Sequence, residues 1–201
     1  MRPRADFRNP MPPRRLARGT RRGYVCGLLT HKRRQWNPSM ATIRVMVLRA
    51  PGTNCDLECV HAWERAGAAP ERVHLRRLIE SPGLLDSCRV LTIPGGFSYG
   101  DDIAAGRVFA ARLQRHLREP LRRFIASGRL VLGICNGFQI LVKAGLLPNP
   151  RDGEQRFCTV TRNVPPGFQD RWVRLEAGRT NCVFLEPSRE YELPIAHGEG
   201  R

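Results

Sequence analysis

The chain has 201 residues, 41% of them hydrophobic, and carries 34 Lys or Arg against 18 Asp or Glu for a formal charge of +16. That size supports one domain with a sizeable core, burying roughly 70% of the surface an unfolded chain exposes; the longest uncharged apolar runs, such as Leu130 to Cys135, fall far short of the about 18 to 20 residues of a membrane span. Seven scattered cysteines (Cys26, Cys55, Cys59, Cys88, Cys135, Cys158, Cys182), with no Cys-x-x-Cys pair and no secretory signal, argue against a disulfide framework and for a reducing, cytosolic setting.

The charge is uneven. Residues 1 to 39 hold eleven Lys or Arg and one acid, while residues 40 to 201 hold 23 and 17. The head also carries five prolines (Pro3, Pro10, Pro12, Pro13, Pro38) and no sustained apolar periodicity, so it is expected to be disordered. Three readings of it compete: a nucleic-acid or membrane-surface arm, an Arg-rich targeting peptide, or sequence upstream of a true start at Met40, where the composition turns to that of a folded domain.

From Ile43 to Leu48 the residues are β-branched or apolar, Pro51-Gly52-Thr53-Asn54 interrupts them, and Asp56 precedes a helical pattern through Ala66. Arg72 to Leu75 and Arg89 to Ile93 read as strands, the second ending in Pro94-Gly95-Gly96. Arg107 to Ala126 reads as one long amphipathic helix closed by Gly128, Arg129 to Ile134 as an apolar strand, and Asn136 to Ala144 as a helix ended by Gly145 and Pro148. Alternating strands and helices predict an α/β fold with a parallel sheet covered on both faces. Beyond Arg156 the pattern breaks into short strand-like runs, Phe157 to Thr161, Arg171 to Leu175 and Tyr191 to Ala196.

The sharpest chemical signal is Leu130-Val131-Leu132-Gly133-Ile134-Cys135-Asn136-Gly137-Phe138-Gln139, a buried strand entering a helix through Gly-x-Cys-x-Gly. This is a nucleophile elbow with sulfur in place of oxygen. The glycines remove side chains where strand and helix crowd, so that Cys135 can occupy a strained turn with its sulfur exposed. At a helix N-terminus the dipole favours thiolate over thiol, and the thiolate attacks. The alternative is a buried structural cysteine between incidental glycines.

Attack on an amide also needs a proton carrier and donors for the tetrahedral oxyanion. In Ala196-His197-Gly198-Glu199, a strand period of two would place His197 and Glu199 on one side, the carboxylate fixing the imidazole tautomer. An exposed polar pair is the bland alternative. His31 lies in the head, and His61, His74 and His116 lack an acid at useful spacing. The N–H of Asn136 and the turn Pro94-Gly95-Gly96-Phe97 are the natural oxyanion donors. The alternatives for that turn are a plain tight turn or a phosphate-binding loop; against the latter, it lacks the glycine-rich and P-loop patterns, and Asp101 and Asp102 would repel phosphate.

In these residues the chain from Met40 to Arg201 resembles the PurQ-type family, the class I glutamine amidotransferase subunits of phosphoribosylformylglycinamidine synthase. The resemblance is carried by Ala50-Pro51-Gly52-Thr53-Asn54-Cys55-Asp56, Pro94-Gly95-Gly96-Phe97-Ser98-Tyr99-Gly100-Asp101-Asp102, the elbow, and Pro194-Ile195-Ala196-His197-Gly198-Glu199-Gly200. It implies a flavodoxin-like three-layer fold with a mostly parallel sheet and a catalytic triad of Cys135, His197 and Glu199. It further implies oxyanion and substrate contacts at Gly95, Gly96 and Phe97, a glutamine-holding Gln139, and reception of the glutamine backbone by Arg162 and Asn163. The implied partners are a large synthetase subunit, which uses ATP and Mg²⁺, and a small bridging subunit; no metal or nucleotide is implied for this chain.

Two features depart from that pattern. Asn163-Val164-Pro165-Pro166-Gly167-Phe168-Gln169-Asp170-Arg171-Trp172 replaces the family's usual substrate loop, and the chain stops just after the triad, where relatives continue, so a missing C-terminal part is expected. Two rivals stand beside this reading. One is a cysteine hydrolase or chaperone of the intracellular-protease type, against which the Gly-Gly-Phe turn and Glu199 argue. The other is a nucleic-acid-binding protein using the basic head, supported by charge alone.

Overall fold

The computed structural model describes residues 42–101, 103–148, 158–178 and 182–201. The expectations for residues 1 to 39, for Met40 as a start, and for Asp102 and Phe157 lie outside the described residues.

Strand β1 (Arg44–Arg49) is followed by helix α1 (Asp56–Arg65), β2 (Ala69–His74), α2 (Leu75–Glu80), β3 (Val90–Ile93), α3 (Arg107–His116), α4 (Arg118–Ala126), β4 (Leu130–Gly133) and α5 (Asn136–Lys143). The four strands form one parallel sheet in the order β2-β1-β3-β4. Alternation along β1 explains why both faces must be covered. Met46 and Leu48 pack on one side with Phe109, Leu113, Leu121 and Ile140, while Val45 and Val47 pack on the other with Cys59 and Trp63. Helices α2 to α5 therefore cover one face and α1 the other, giving three layers. On the α1 side, Trp63 Nε1 donates to Thr92 Oγ1 at 2.9 Å, giving the half-buried indole a partner.

Three elements differ from the sequence reading. β2 begins at Ala69 and contains Pro70; as the edge strand of the sheet it can spare that N–H. A further helix, α2, follows at once, its N-terminus capped by the His74 ring accepting from the Arg76 N–H. The helix expected over Arg107 to Ala126 is two helices, parted at Leu117 with φ −125° and ψ 10°. Pro120 accounts for the break, because its ring clashes with the carbonyl four residues back and it lacks the N–H to continue a ladder.

The C-terminal third forms a separate antiparallel ribbon of β5 (Gln169–Glu176) and β6 (Glu190–His197), with His197 opposite Gln169. The strand expected to end at Thr161 is replaced by a short pairing in which Thr161 and Arg201 exchange backbone hydrogen bonds and Arg162 opposes Glu199. Among the described residues, no helix is long and apolar enough to cross a membrane.

Candidate active site

The sheet order reverses between β1 and β3, since β1 leads to β2 on one side and β3 lies on the other. Ligand sites of open α/β sheets sit at the carboxyl ends of strands beside such a switch point. Here the loop after β1 and the turn after β3 are joined: Phe97 N–H donates to Gly52 O at 2.9 Å, Tyr99 N–H to Pro51 O at 2.8 Å, and Cys55 N–H to Gly95 O at 3.4 Å. Gly96 has φ +131°, and a side chain there would meet the Asn54 backbone N at 2.7 Å, so the turn requires glycine.

The elbow follows β4. Cys135 is exposed, with φ 52° and ψ −112°, immediately before α5, a conformation that costs a non-glycine residue about 1 to 3 kcal/mol. The flanking glycines make it possible. An added Cβ on Gly137 would collide with the Ile93 carbonyl, and one on Gly133 would lie 2.7 Å from Gly137 O. A Cβ on Gly95 would stand 3.3 Å from Cys135 Cβ and 3.7 Å from Cys55 Sγ, so the glycine turn, the nucleophile and a second thiol converge. A cavity of about 460 Å³ lies here, lined by Cys59, Ala62 and Trp63 of α1 together with Ile134, Cys135 and Gly96. Burial, then the charge of Glu58, pushes the Cys55 thiol up from its ordinary value.

As the first residue of α5, Asn136 has a backbone N–H with no carbonyl partner within the helix, which suits an oxyanion donor. The Phe97 N–H is already spent on Gly52. Among the described residues neither the Gly95 nor the Gly96 N–H donates to a backbone carbonyl, so both remain available in the turn; the Phe97 ring is exposed.

The polar residues behind the elbow form one chain, buried at Ser98, Asn136 and Gln139. Asn136 Oδ1 accepts from Ser98 Oγ at 2.7 Å and from Ser98 N–H at 3.3 Å, while its Nδ2 donates to Asp101 Oδ1 and Gln139 Oε1. Gln139 Nε2 in turn donates to the Glu199 backbone carbonyl at 2.8 Å. The resemblance implies a substrate-holding Gln139; its amide is instead buried and spent on linking α5 to the segment after β6.

Glu199 and His197 face different partners. The Glu199 carboxylate is 2.9 Å from Lys143 Nζ and accepts from Ala105 N–H at 3.4 Å. Burial raises its pKa, but the Lys143 hydrogen bond, the Ala105 N–H and the charges of Lys143 and Arg162 outweigh that and hold it below the usual carboxylate value. His197 Nδ1 lies 3.1 Å from Asn163 Oδ1, and its ring rests against the Cα of Gly200, where any Cβ would overlap it. Among the described residues no hydrogen bond joins His197 to Glu199 or to Cys135. Strand β6 ends at His197, and the next residues turn to pair with Thr161 and Arg162. Asn163, expected to receive substrate, is buried with both side-chain polar atoms engaged inside the protein; Arg162 opposes Glu199 in the backbone pairing.

The arrangement is a strained, exposed thiol at a helix N-terminus, two amide donors beside it and an oriented imidazole held on an adjoining segment. The family model for the CobB/CobQ-like glutamine amidotransferase domain matches residues 42–201. The chain belongs to this family. The amidotransferase domain is 44% identical over 164 residues to phosphoribosylformylglycinamidine synthase subunit PurQ of Dehalococcoides mccartyi, covering 81% of this chain and 64% of that one. It is 39% identical to the PurQ subunit of Methanococcus maripaludis strain C5, covering 79% and 59%. The chain thus spans about three-fifths of the length of these relatives. Among solved structures, that of PurLQS from Thermotoga maritima matches with a TM-score of 0.64 at 32% identity, covering 80% of this chain and 69% of that one.

Sequence reasoning overlooked Ser98, Asp101, Lys143 and Gly200. For Lys143 the signal was present: Asn136, Gln139 and Lys143 recur at i, i+3 and i+7, a polar stripe on an otherwise apolar helix.

Proposed function

We propose that the chain is the glutamine-hydrolysing subunit of a phosphoribosylformylglycinamidine synthase. The observation that carries this reading is the backbone of Cys135, a positive-φ thiol residue at the junction of β4 and α5, beside the glycine turn that follows β3. Identity to PurQ subunits along the described domain supports the choice of substrate and complex.

In this mechanism the Cys135 sulfur attacks the side-chain carbonyl carbon of glutamine. The charge that develops on oxygen is met by the N–H groups of Asn136 and Gly96. His197 passes a proton to the departing nitrogen, the C–N bond breaks, and ammonia leaves behind a thioester. Water, activated by the same imidazole, then cleaves the thioester to glutamate and restores the thiol. Glutamine and water thus become glutamate and ammonia. The proposed partners are a synthetase subunit, which uses ATP and Mg²⁺ to activate formylglycinamide ribonucleotide for the ammonia, and a small third subunit. The cytosol is the proposed setting.

The test is glutamate release from glutamine by the purified chain with the synthetase present. Cys135→Ala is expected to abolish glutamine-dependent product formation while the assembled complex still uses added ammonium salt. Glutamine-dependent turnover by that variant would overturn the reading.

A further inference from the structure

Two consecutive residues at the start of α5 hold the glycine turn at its two ends. Gly137 packs against the carbonyls of Ile93 and Pro94, where the chain leaves β3 and where any Cβ would collide. The Asn136 side chain meets Ser98 at the other end: Oδ1 accepts from Ser98 Oγ at 2.7 Å and from Ser98 N–H at 3.3 Å. Between these points lie Gly95 and Gly96, whose N–H groups donate to no backbone carbonyl among the described residues.

The partners leave the Asn136 amide a single orientation. A backbone N–H only donates, so the atom facing Ser98 is the oxygen; a carboxylate oxygen only accepts, so the atom 3.2 Å from Asp101 Oδ1 is the nitrogen. That nitrogen also donates to Gln139 Oε1 at 3.1 Å. Both amide hydrogens and both oxygen lone pairs of a buried side chain are thereby used.

The segment that Asn136 grips is strained. Tyr99 and Asp101 have φ of 57° and 69°, a left-handed region that side chains disfavour and that persists only where the surroundings impose it. Helix α3 imposes it from one side. Asp101 Oδ1 accepts from the N–H of Gly106, the cap of α3, at 2.9 Å, and Tyr99 lies edge-on to Phe109 with its hydroxyl 2.9 Å from Arg112. Asn136 ties the same segment to the elbow.

We propose that the Asn136 side chain is a positioning residue for the oxyanion site, setting the Gly95–Gly96 turn against the backbone N–H of Asn136 itself. One residue then supplies a donor through its main chain and aligns the opposing donors through its side chain. The catalytic consequence rests on the glutaminase reading, whereas the alignment does not.

The experiment uses the full chain, with the synthetase present for kinetics. Asn136→Ala removes the side chain and keeps the backbone N–H, so the loss it causes belongs to alignment. It should lower kcat for glutamine about 100-fold, the effect of a catalytic group displaced by about 1 Å, with KM changed far less. Alkylation of Cys135 by iodoacetamide requires no oxyanion donor and should proceed at the parent rate. Amide NMR should show the Gly95 and Gly96 N–H signals displaced while those of β1 stay in place. Ser98→Ala, which keeps the Ser98 N–H on Oδ1, should give the same pattern with about a 5-fold loss in kcat, the worth of one hydrogen bond. It decides the matter if Asn136→Ala does not fold. The proposal is overturned if the folded variants leave the glycine signals unmoved, or if kcat and Cys135 alkylation fall together. Failure of the glutaminase reading would show separately, as no glutamate release by a parent chain whose glycine signals still move in the variants.

Discussion

Lys143 on α5 lies 2.9 Å from the carboxylate of Glu199, and the two side chains are only 9% and 19% exposed. The pair joins residues 56 positions apart. Because Lys143 and its neighbours hold the Glu199 carboxyl below the ordinary value, the ionised form stabilises the fold above the unfolded-state pKa. That contribution is lost as pH falls through the lowered folded-state pKa. Lys143→Met should therefore cost about 2 kcal/mol near neutral pH. The gap between variant and parent should close on acidification below the usual glutamate range, as followed by melting temperature against pH. A gap independent of pH would mean that the lysine contributes through packing alone.

Gly200 offers a sharper probe of the imidazole. Gly200→Ala places a methyl group where the His197 ring lies, so the ring must turn away from Asn163. Glutamine hydrolysis should fall by about 100-fold, while far-ultraviolet circular dichroism stays that of the parent. At the neighbouring Gly198 an added Cβ would have no atom within 4 Å, and Gly198→Ala should keep turnover near the parent value. Equal losses in both would point to general loosening of the segment.

The elbow should be intolerant of bulk in the opposite sense. Gly137→Ala sets a methyl group against the Ile93 carbonyl, and rigid backbone on both sides leaves nothing flexible to give way. About 3 kcal/mol of destabilisation is expected, which in a domain of this size lowers the melting temperature by about 6 to 12 °C. Thermal denaturation measures it directly.

The thiols should respond unequally to alkylation. Cys135 is exposed, whereas Cys59 is buried and its pKa is pushed up to about 11. With a raised folded-state pKa, the protonated Cys59 stabilises the fold below the unfolded thiol value, and that contribution is lost as pH rises through about 11. Near neutral pH, iodoacetamide should label Cys135, with activity lost in step, before Cys55 and Cys59 as judged by peptide mass mapping. Early labelling of Cys59 would contradict the packing of α1 against the sheet.

Much of the fold is legible because its signals are local. The apolar run before the Pro51-Gly52 turn, the glycine-flanked cysteine and the glycine after β3 each announce an element boundary within a few residues. Pro120 is equally visible, and reading the stretch around it as one helix overlooks its cost to the ladder. The surroundings of His197 show where local reading ends. Periodicity within β6 cannot reveal that the chain turns after His197, nor that Asn163, 34 positions earlier, returns to meet the imidazole. Those facts depend on how the 161–163 segment pairs with 198–201, a tertiary outcome without a short-range signature.

The Ile93 carbonyl closes two structures at once. It accepts the Ile134 N–H at 3.1 Å, and Gly137 packs directly against it, while β3 and β4 align Ile93 with Gly133. A shift of one residue between these strands would send every side chain of the moving strand to the opposite face and would also remove the surface on which the elbow bends. The thiol is thus strained and displayed only in a chain whose strands have paired correctly. A partly folded copy carries an ordinary cysteine, so the competence of this site is a readout of completed assembly.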